Sequence, residues 1–273
     1  MFWVLNQNLC KEEGYKILLE HLQRTNITHI KVKPIPFTHK LLPLDFDARN
    51  STINIDEVPE PYIDTDQNIW VMGSYTLCTI AISRGWKPGC WLDNLSYDVW
   101  SSKWLPADLL NPYAIMTKFK DAVFDMDFAF VRPVADSKAF PGKVFDKEEF
   151  TAWQKKVIMM SDKDPVNGMT EILLAKPVNI YTETRFFVVD GQIITGSLYK
   201  RGTSVFYSDL IDEGAIDFCN AKIKEWVPNK AFVIDVAATE SGYKIIELNC
   251  FNAAGFYASN VQKIVDAIEN LKI

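Results

Sequence analysis

Residues 231–249 read "AFVIDVAATESGYKIIELN". The stretch has the alternation of a buried hairpin, yet Asp235, Glu247 and Asn249 sit in its strands, where apolar residues are expected. A three-residue loop, Glu240–Ser241–Gly242, would put glycine at the position where a left-handed conformation is usual. That register sets Asp235 directly opposite Glu247. One face then carries Phe232, Ile234, Val236, Ile246 and Leu248. The other carries Asp235, Glu247 and Asn249. Like charges facing each other across a sheet are unfavourable by up to about 1 kcal/mol, and a hard cation between them reverses the sign. Two carboxylates and an amide suit Mg²⁺, which takes oxygen ligands and usually shares them with phosphate. Taken alone, the pattern is equally compatible with a solvated polar face, and a slip of one residue would undo it.

The preceding hairpin, "YTETRFFVVDGQIITGSLYK" (181–200), turns at Asp190–Gly191, a type I′ signal. Its register predicts Glu183, Arg185 and Lys200 on one face and Gly196 opposite Arg185, with room beside it for something bulky. Arg and Lys beside a Glu suit a nucleotide, the cations for phosphate and the carboxylate for a ribose hydroxyl. A plain cross-strand charge network fits equally well. Upstream, "FAFVRPVADSKAFPGKVF" (128–145) ends a strand at Arg132 and carries Lys138, Gly142 and Lys143 in a loop able to close over phosphates. Neither GxxxxGK[ST] nor GxGxxG occurs.

The rest of the chain frames these elements. At roughly 150 residues per domain, 273 residues predict two domains or one core with a lobe. Apolar residues make up 48% and the net charge is −6, a folded composition that argues against a general nucleic-acid binder. Five cysteines without a CxxC, and His at 21, 29 and 39 without a Cys/His cluster, predict reduced thiols in a cytoplasmic protein and no zinc site. The N-terminal "MFWVLNQNLC" lacks signal-peptide character, and no apolar run approaches the ~20 residues of a membrane span. "FWVLN" (2–6), "KEEGYKILLEHLQR" (11–24) and "ITHIKVKPI" (27–35) predict a strand–helix–strand opening. Residues 34–68 read as irregular connection with minor strands. "NIWVMGSYTLCTIAISRGW" (68–86) predicts a strand, a Gly turn and a helix capped by Ser74 that stops at Gly85. The aromatic segment 91–112 reads as interdomain packing, with a pocket wall as the alternative. "EILLAKPVNI" (171–180) reads as one strand, "KEEFTAWQKKVIMM" (147–160) and "IDEGAIDFCNAKIKEW" (211–226) as helices, and 258–273 as a closing helix.

In this order the segments resemble the ATP-grasp superfamily, and most closely its compact clade of bacteria and their phages. The resemblance covers residues 118–273, and "ELN" is its most specific piece. "ILLAKPVNIYTETRFFVVDGQIITGS" is similar to the hinge strand and the Glu-bearing strand after the adenine pocket. "FVIDVA" with "IIELNCFNAAGFY" is similar to the Asp…Glu-x-Asn magnesium motif. The resemblance implies an α+β, α/β fold: an N-terminal βα domain (1–115), then an ATP-grasp domain (116–273) whose smaller lid (116–175) and metal-binding part (176–273) grip ATP. It implies that Asp235, Glu247 and Asn249 hold one or two Mg²⁺, with Mn²⁺ a substitute. Leu174, Ala175, Lys176 and Pro177 would line adenine, and Glu183 would face the ribose. Arg132, standing where many members have Lys, would bind phosphate together with Lys138 or Lys143. Arg132, Arg185 and Lys200 would stabilise the transferring phosphoryl group. Arg185 or Lys200 would also replace an Arg that many members carry at the position of Val233. Asn252 and Gly255 would touch the carboxylate substrate, with a plain connecting loop as the alternative. The implied reaction is ligation of a small-molecule or peptide carboxylate to an amine through an acyl phosphate. A phosphotransferase of the same fold and a non-catalytic nucleotide-binding module remain the alternatives, and the sequence leaves the oligomeric state open.

Overall fold

The computed structural model describes residues 1–36, 38–44, 46, 54–135 and 139–273. The chain opens with β1 (Phe2–Asn6), buried along its whole length, and α1 (Glu13–Arg24), which turns Tyr15, Leu18 and Leu22 inward. β2 (His29–Ile35) returns parallel to β1, and β3 (Lys40–Leu42) pairs antiparallel with β2. β4 (Ile69–Met72) joins the other side of β1 in parallel. α2 (Tyr75–Ser83) follows, with the Ser74 side chain accepting from the Leu77 amide as predicted, and then β5 (Pro88–Gly89). The sheet order is β3-β2-β1-β4-β5. Gly73 makes the β4–α2 turn at φ +138°, where a Cβ would stand 2.6 Å from that of Asn6. Gly85 ends the α2 segment in the left-handed region at φ +66°.

The aromatic segment contains α3 (Tyr97–Trp100) and leads to a second, antiparallel sheet. Its strands are β6 (Ile115–Lys118), β7 (Phe128–Pro133), β8 (Lys143–Asp146) and β9 (Glu171–Ala175), in the order β6-β9-β7-β8. Between β8 and β9, α4 (Lys147–Ile158) is capped by Asp146 and packs Phe150 against Phe119 and Phe124. The predicted single strand 171–180 is two. β9 stops at Ala175, residues 176–179 form a connection, and Ile180 begins a strand of another sheet. Pro177 has no amide hydrogen to continue a ladder.

The third sheet comprises β10 (Ile180–Val189), β11 (Gln192–Arg201), β12 (Ser204–Ser208), β13 (Ala231–Thr239) and β14 (Gly242–Asn249), in the order β12-β11-β10-β13-β14. α5 (Glu213–Glu225) precedes β13, and α6 (Val261–Glu269) closes the described fold. β12 escaped the sequence reading because its row Val205, Phe206, Tyr207 is exposed, as an edge strand permits. One face of the sheet packs Phe186, Val188, Phe232 and Ile234 against Ala215, Cys219 and Ile223 of α5. The opposite face packs Phe187, Val189, Ala231 and Val233 against α1 and α6. Further along β10 and β13, that same face turns ionic at Arg185, Glu183 and Asp235. Apolar and charged residues thus share one side of the sheet and are separated only by distance along it. No described helix is long and apolar enough to cross a membrane.

Candidate active site

Both hairpins depart from ideal geometry, and the departures build the site. β13 and β14 are joined by two residues, Glu240–Ser241, because Thr239 pairs with Gly242. The predicted three-residue loop is therefore incorrect. A bulge between Asp235 and Val236 supplies the missing residue: Val236 pairs with Ile245 and Asp235 with Glu247. The facing carboxylates survive, but Ile245 takes the core place expected for Ile246, which lines a cleft beside Glu247. In the other hairpin, Asp190 (φ +47°) and Gly191 (φ +72°) make the predicted turn. Bulges at Phe187/Val188 and Glu183/Thr184 then shift the register, so Glu183 faces Lys200 and Gly196 faces Phe186 rather than Arg185. Gly196 leaves no ligand space, since a Cβ there would meet the Arg185 carbonyl at 2.7 Å and Ile211 at 2.8 Å.

The metal trio converges. The Asn249 amide nitrogen donates to Asp235 Oδ2 and to Glu247 Oε1, each at 3.1 Å. Asp235 is fully buried, while the Glu247 side chain keeps 29% exposure toward the cleft. Each carboxylate has its own arginine. Arg185 forks onto Asp235, with Nε to Oδ1 at 2.9 Å and Nη2 to Oδ2 at 2.8 Å. Arg132 Nη1 donates to Glu247 Oε2 at 2.5 Å, its guanidinium resting over the rings of Tyr97 and Trp100. Burial works against the Arg185 charge, but Asp235 outweighs it and holds the guanidinium firmly protonated. The donor set suits a hard dication: two carboxylates and an amide that carries an oxygen as well as a nitrogen, meeting at one point.

A cleft of about 830 Å³ opens above the trio between the second and third sheets. Arg132, Lys143, Glu183, Lys200 and Glu247 line it together. A family model of the ATP-grasp domain, describing the third family of one of its clades, matches residues 41–268. The chain belongs to this ATP-grasp family.

No curated protein matches it. Among solved structures, the ATP-grasp chain resembles the RimK domain protein ATP-grasp from Sphaerobacter thermophilus DSM 20745, with 10% identity, TM-score 0.59, and coverage of 93% of this chain and 92% of the other. It also resembles D-alanine–D-alanine ligase from Bacillus anthracis complexed with ATP (13%, 0.57, 99% and 92%). A third is the ATP-grasp ligase PsnB complexed with minimal precursor, Mg and ADP (13%, 0.53, 98% and 97%).

In the ATP-grasp frame the remaining predicted residues sort by position. Glu183 is held from two sides, by the Tyr199 hydroxyl at 2.7 Å and Lys200 Nζ at 2.6 Å. The bulge brings these consecutive residues to the same carboxylate. Lys143 lines the cleft and pairs with Glu149. Lys138 lies outside the described residues. Pro177 lines the cleft with Val178 and Asn179. Leu174 and Ala175 are instead buried in β9, with both flanks of Leu174 paired, and Lys176 is exposed. Arg185 and Asp235 lie beneath the cleft surface, buried against each other. The Gly255 carbonyl accepts from Arg185 Nη1 at 3.4 Å.

Asn252 is fully buried and donates its amide to the carbonyls of Val71 (2.8 Å) and Gly89 (3.2 Å). Its geometry ties the segment after β14 to the first sheet. Asn252→Ala is expected to cost about 2–3 kcal/mol by orphaning both carbonyls, read as a lowered thermal midpoint; parent-like melting would contradict that role.

Three aromatics had no sequence signal. Tyr199, Tyr257 and Tyr207 stack at 5.0 Å spacings, and Arg185 sits 4.9 Å from the Tyr257 ring centre. Tyr257 takes φ +51°, a strained value for a bulky residue that the stack holds in place. Burial first, then the Asp235 and Glu183 carboxylates, push the Tyr199 phenol well above its usual range, so it donates. Part of the aromatic segment does wall the cleft, through Leu95, Leu110 and Asn111.

Proposed function

We propose that this ATP-grasp chain is an ATP- and Mg²⁺-dependent ligase that joins a small-molecule or peptide carboxylate to an amine and releases ADP. The observation that carries the proposal is the meeting of Asp235, Glu247 and Asn249 at the floor of a cleft rimmed by Arg132, Lys143 and Lys200. The named ligases of the same fold support it. In this reading residues 1–115, 116–175 and 176–273 are the N-terminal, lid and metal-binding parts.

Asp235, Glu247 and Asn249 would hold magnesium, which when bound neutralises phosphate charge and orients the triphosphate. The other residues act by position and charge. Pro177, Val178 and Asn179 offer backbone groups to a base, and Glu183, fixed by Tyr199 and Lys200, offers a carboxylate to a ribose. Arg132 and Lys200 present cations to the phosphates. Arg185 serves through Asp235, holding both carboxylate oxygens in one orientation. The carboxylate substrate attacks the γ-phosphate to form an acyl phosphate, and the amine then displaces phosphate. An acyl phosphate hydrolyses readily, so the segment Phe140–Lys143 along the cleft has the task of excluding water.

The test is incubation with ATP, Mg²⁺ and pooled amino acids. ADP appearing only when a carboxylate and an amine are both present is the expected outcome. ADP with a phosphorylated product would replace the ligase by a phosphotransferase, and ATP binding without ADP would leave a non-catalytic module.

A further inference from the structure

We propose that Cys78, Cys90 and Cys250 form a zinc site that clamps the end of the metal-binding strand to the first sheet. The three come from separate elements: α2, the residue after β5, and the residue after β14. All are buried, and their sulfurs lie within 4.8 Å of one another. The Cys90–Cys250 separation is 3.5 Å and the Cys78–Cys250 separation 4.0 Å. Zinc–thiolate bonds of about 2.3 Å at tetrahedral angles put neighbouring sulfurs roughly 3.8 Å apart, between the two observed values.

A fourth donor is already oriented. The Asn252 amide nitrogen is committed to the Val71 and Gly89 carbonyls, so its oxygen faces the cluster, 3.8 Å from Cys250 Sγ. Three sulfurs and one amide oxygen form a closed donor set with no cleft beside it, as a structural rather than catalytic metal requires. Buried cysteines often pack as small apolar side chains. Three sulfurs converging from distant segments, together with an amide oxygen turned toward them, are what plain packing does not call for. Thiolates select zinc over magnesium, so this site and the oxygen trio ending at Asn249 would sort their ions by chemistry. Zinc binding would displace the thiol protons to solvent and fix the residue next to Asn249.

The site is tested on the full chain, purified without chelator, by elemental analysis and by Co²⁺ titration of the metal-stripped protein. The expected result is one zinc per chain and a thiolate-to-cobalt charge-transfer band, which an ion in the oxygen trio cannot produce. Cys90→Ser should weaken Co²⁺ binding by at least about a hundredfold, since loss of even a supporting partner costs 10–100-fold. Cys219→Ser should bind as the parent does. A readout on the unaltered protein covers variants that fail to fold: zinc should protect three of the five cysteines from alkylation. Absence of the band, one zinc retained in Cys78→Ser/Cys90→Ser, or a Cys90–Cys250 disulfide in the purified protein would overturn the proposal. None of these readouts depends on ATP turnover, so the ligase reading and the zinc site fail separately.

Discussion

Glu247→Gln should reduce ADP formation by at least about a thousandfold while leaving the fold intact. The substitution keeps the shape and removes one of two negative charges from the oxygen trio. Single preorganised electrostatic groups at reacting phosphoryl or acyl centres are worth about 10²–10³ in rate, and a dication held by one carboxylate instead of two also loses affinity. Stability should change little. The Glu247 side chain is partly exposed, and its partner Arg132 keeps its seat over Tyr97 and Trp100. Exposed pairs of this kind contribute about 1 kcal/mol or less. Steady-state ADP release and a thermal melt on the same preparation check both halves. Turnover equal to the parent's would remove the metal assignment.

The opposite split is expected for Arg185→Met. Arg185 and Asp235 are buried together, with side-chain exposures of 8% and 1%. Removing one partner of such a pair strands a charge in a poorly solvated place and costs about 3–5 kcal/mol. For a chain of this size the thermal midpoint should fall by about 10 °C. A second measurement separates a local from a general defect. Mg²⁺ with a non-hydrolysable ATP analogue should raise the midpoint of the variant more than that of the parent, because a bound cation restores the charge balance at Asp235. Arg185→Lys should recover only part of the loss, since an ammonium cannot fork across both carboxylate oxygens. A melt indistinguishable from the parent's would show that the pair does not brace the strand.

Local pattern carried the reading of the elements. The cap at Ser74, the stop at Gly85, the Asp190–Gly191 turn and the run "IIELN" each concern residues near one another in the chain, so propensity and periodicity suffice. The opposition of Asp235 and Glu247 was legible too, although it arises from a two-residue loop plus a bulge rather than from a three-residue loop. Register in the other hairpin was not legible, because its two bulges answer to packing on both faces of the sheet. The exposed strand β12 and the break at Pro177 were missed for the same reason: edge position and sheet membership are properties of the assembled fold.

The sequence by itself determined that strands, helices and an oxygen-rich hairpin occur in ATP-grasp order, since side-chain alternation and capping act over a few residues. Only the tertiary structure decided which cations meet which carboxylates, that Asn252 faces inward, and that Cys78, Cys90 and Cys250 share one buried point. Those contacts join residues up to 181 positions apart, and their partners are selected by how three sheets stack rather than by any spacing along the chain.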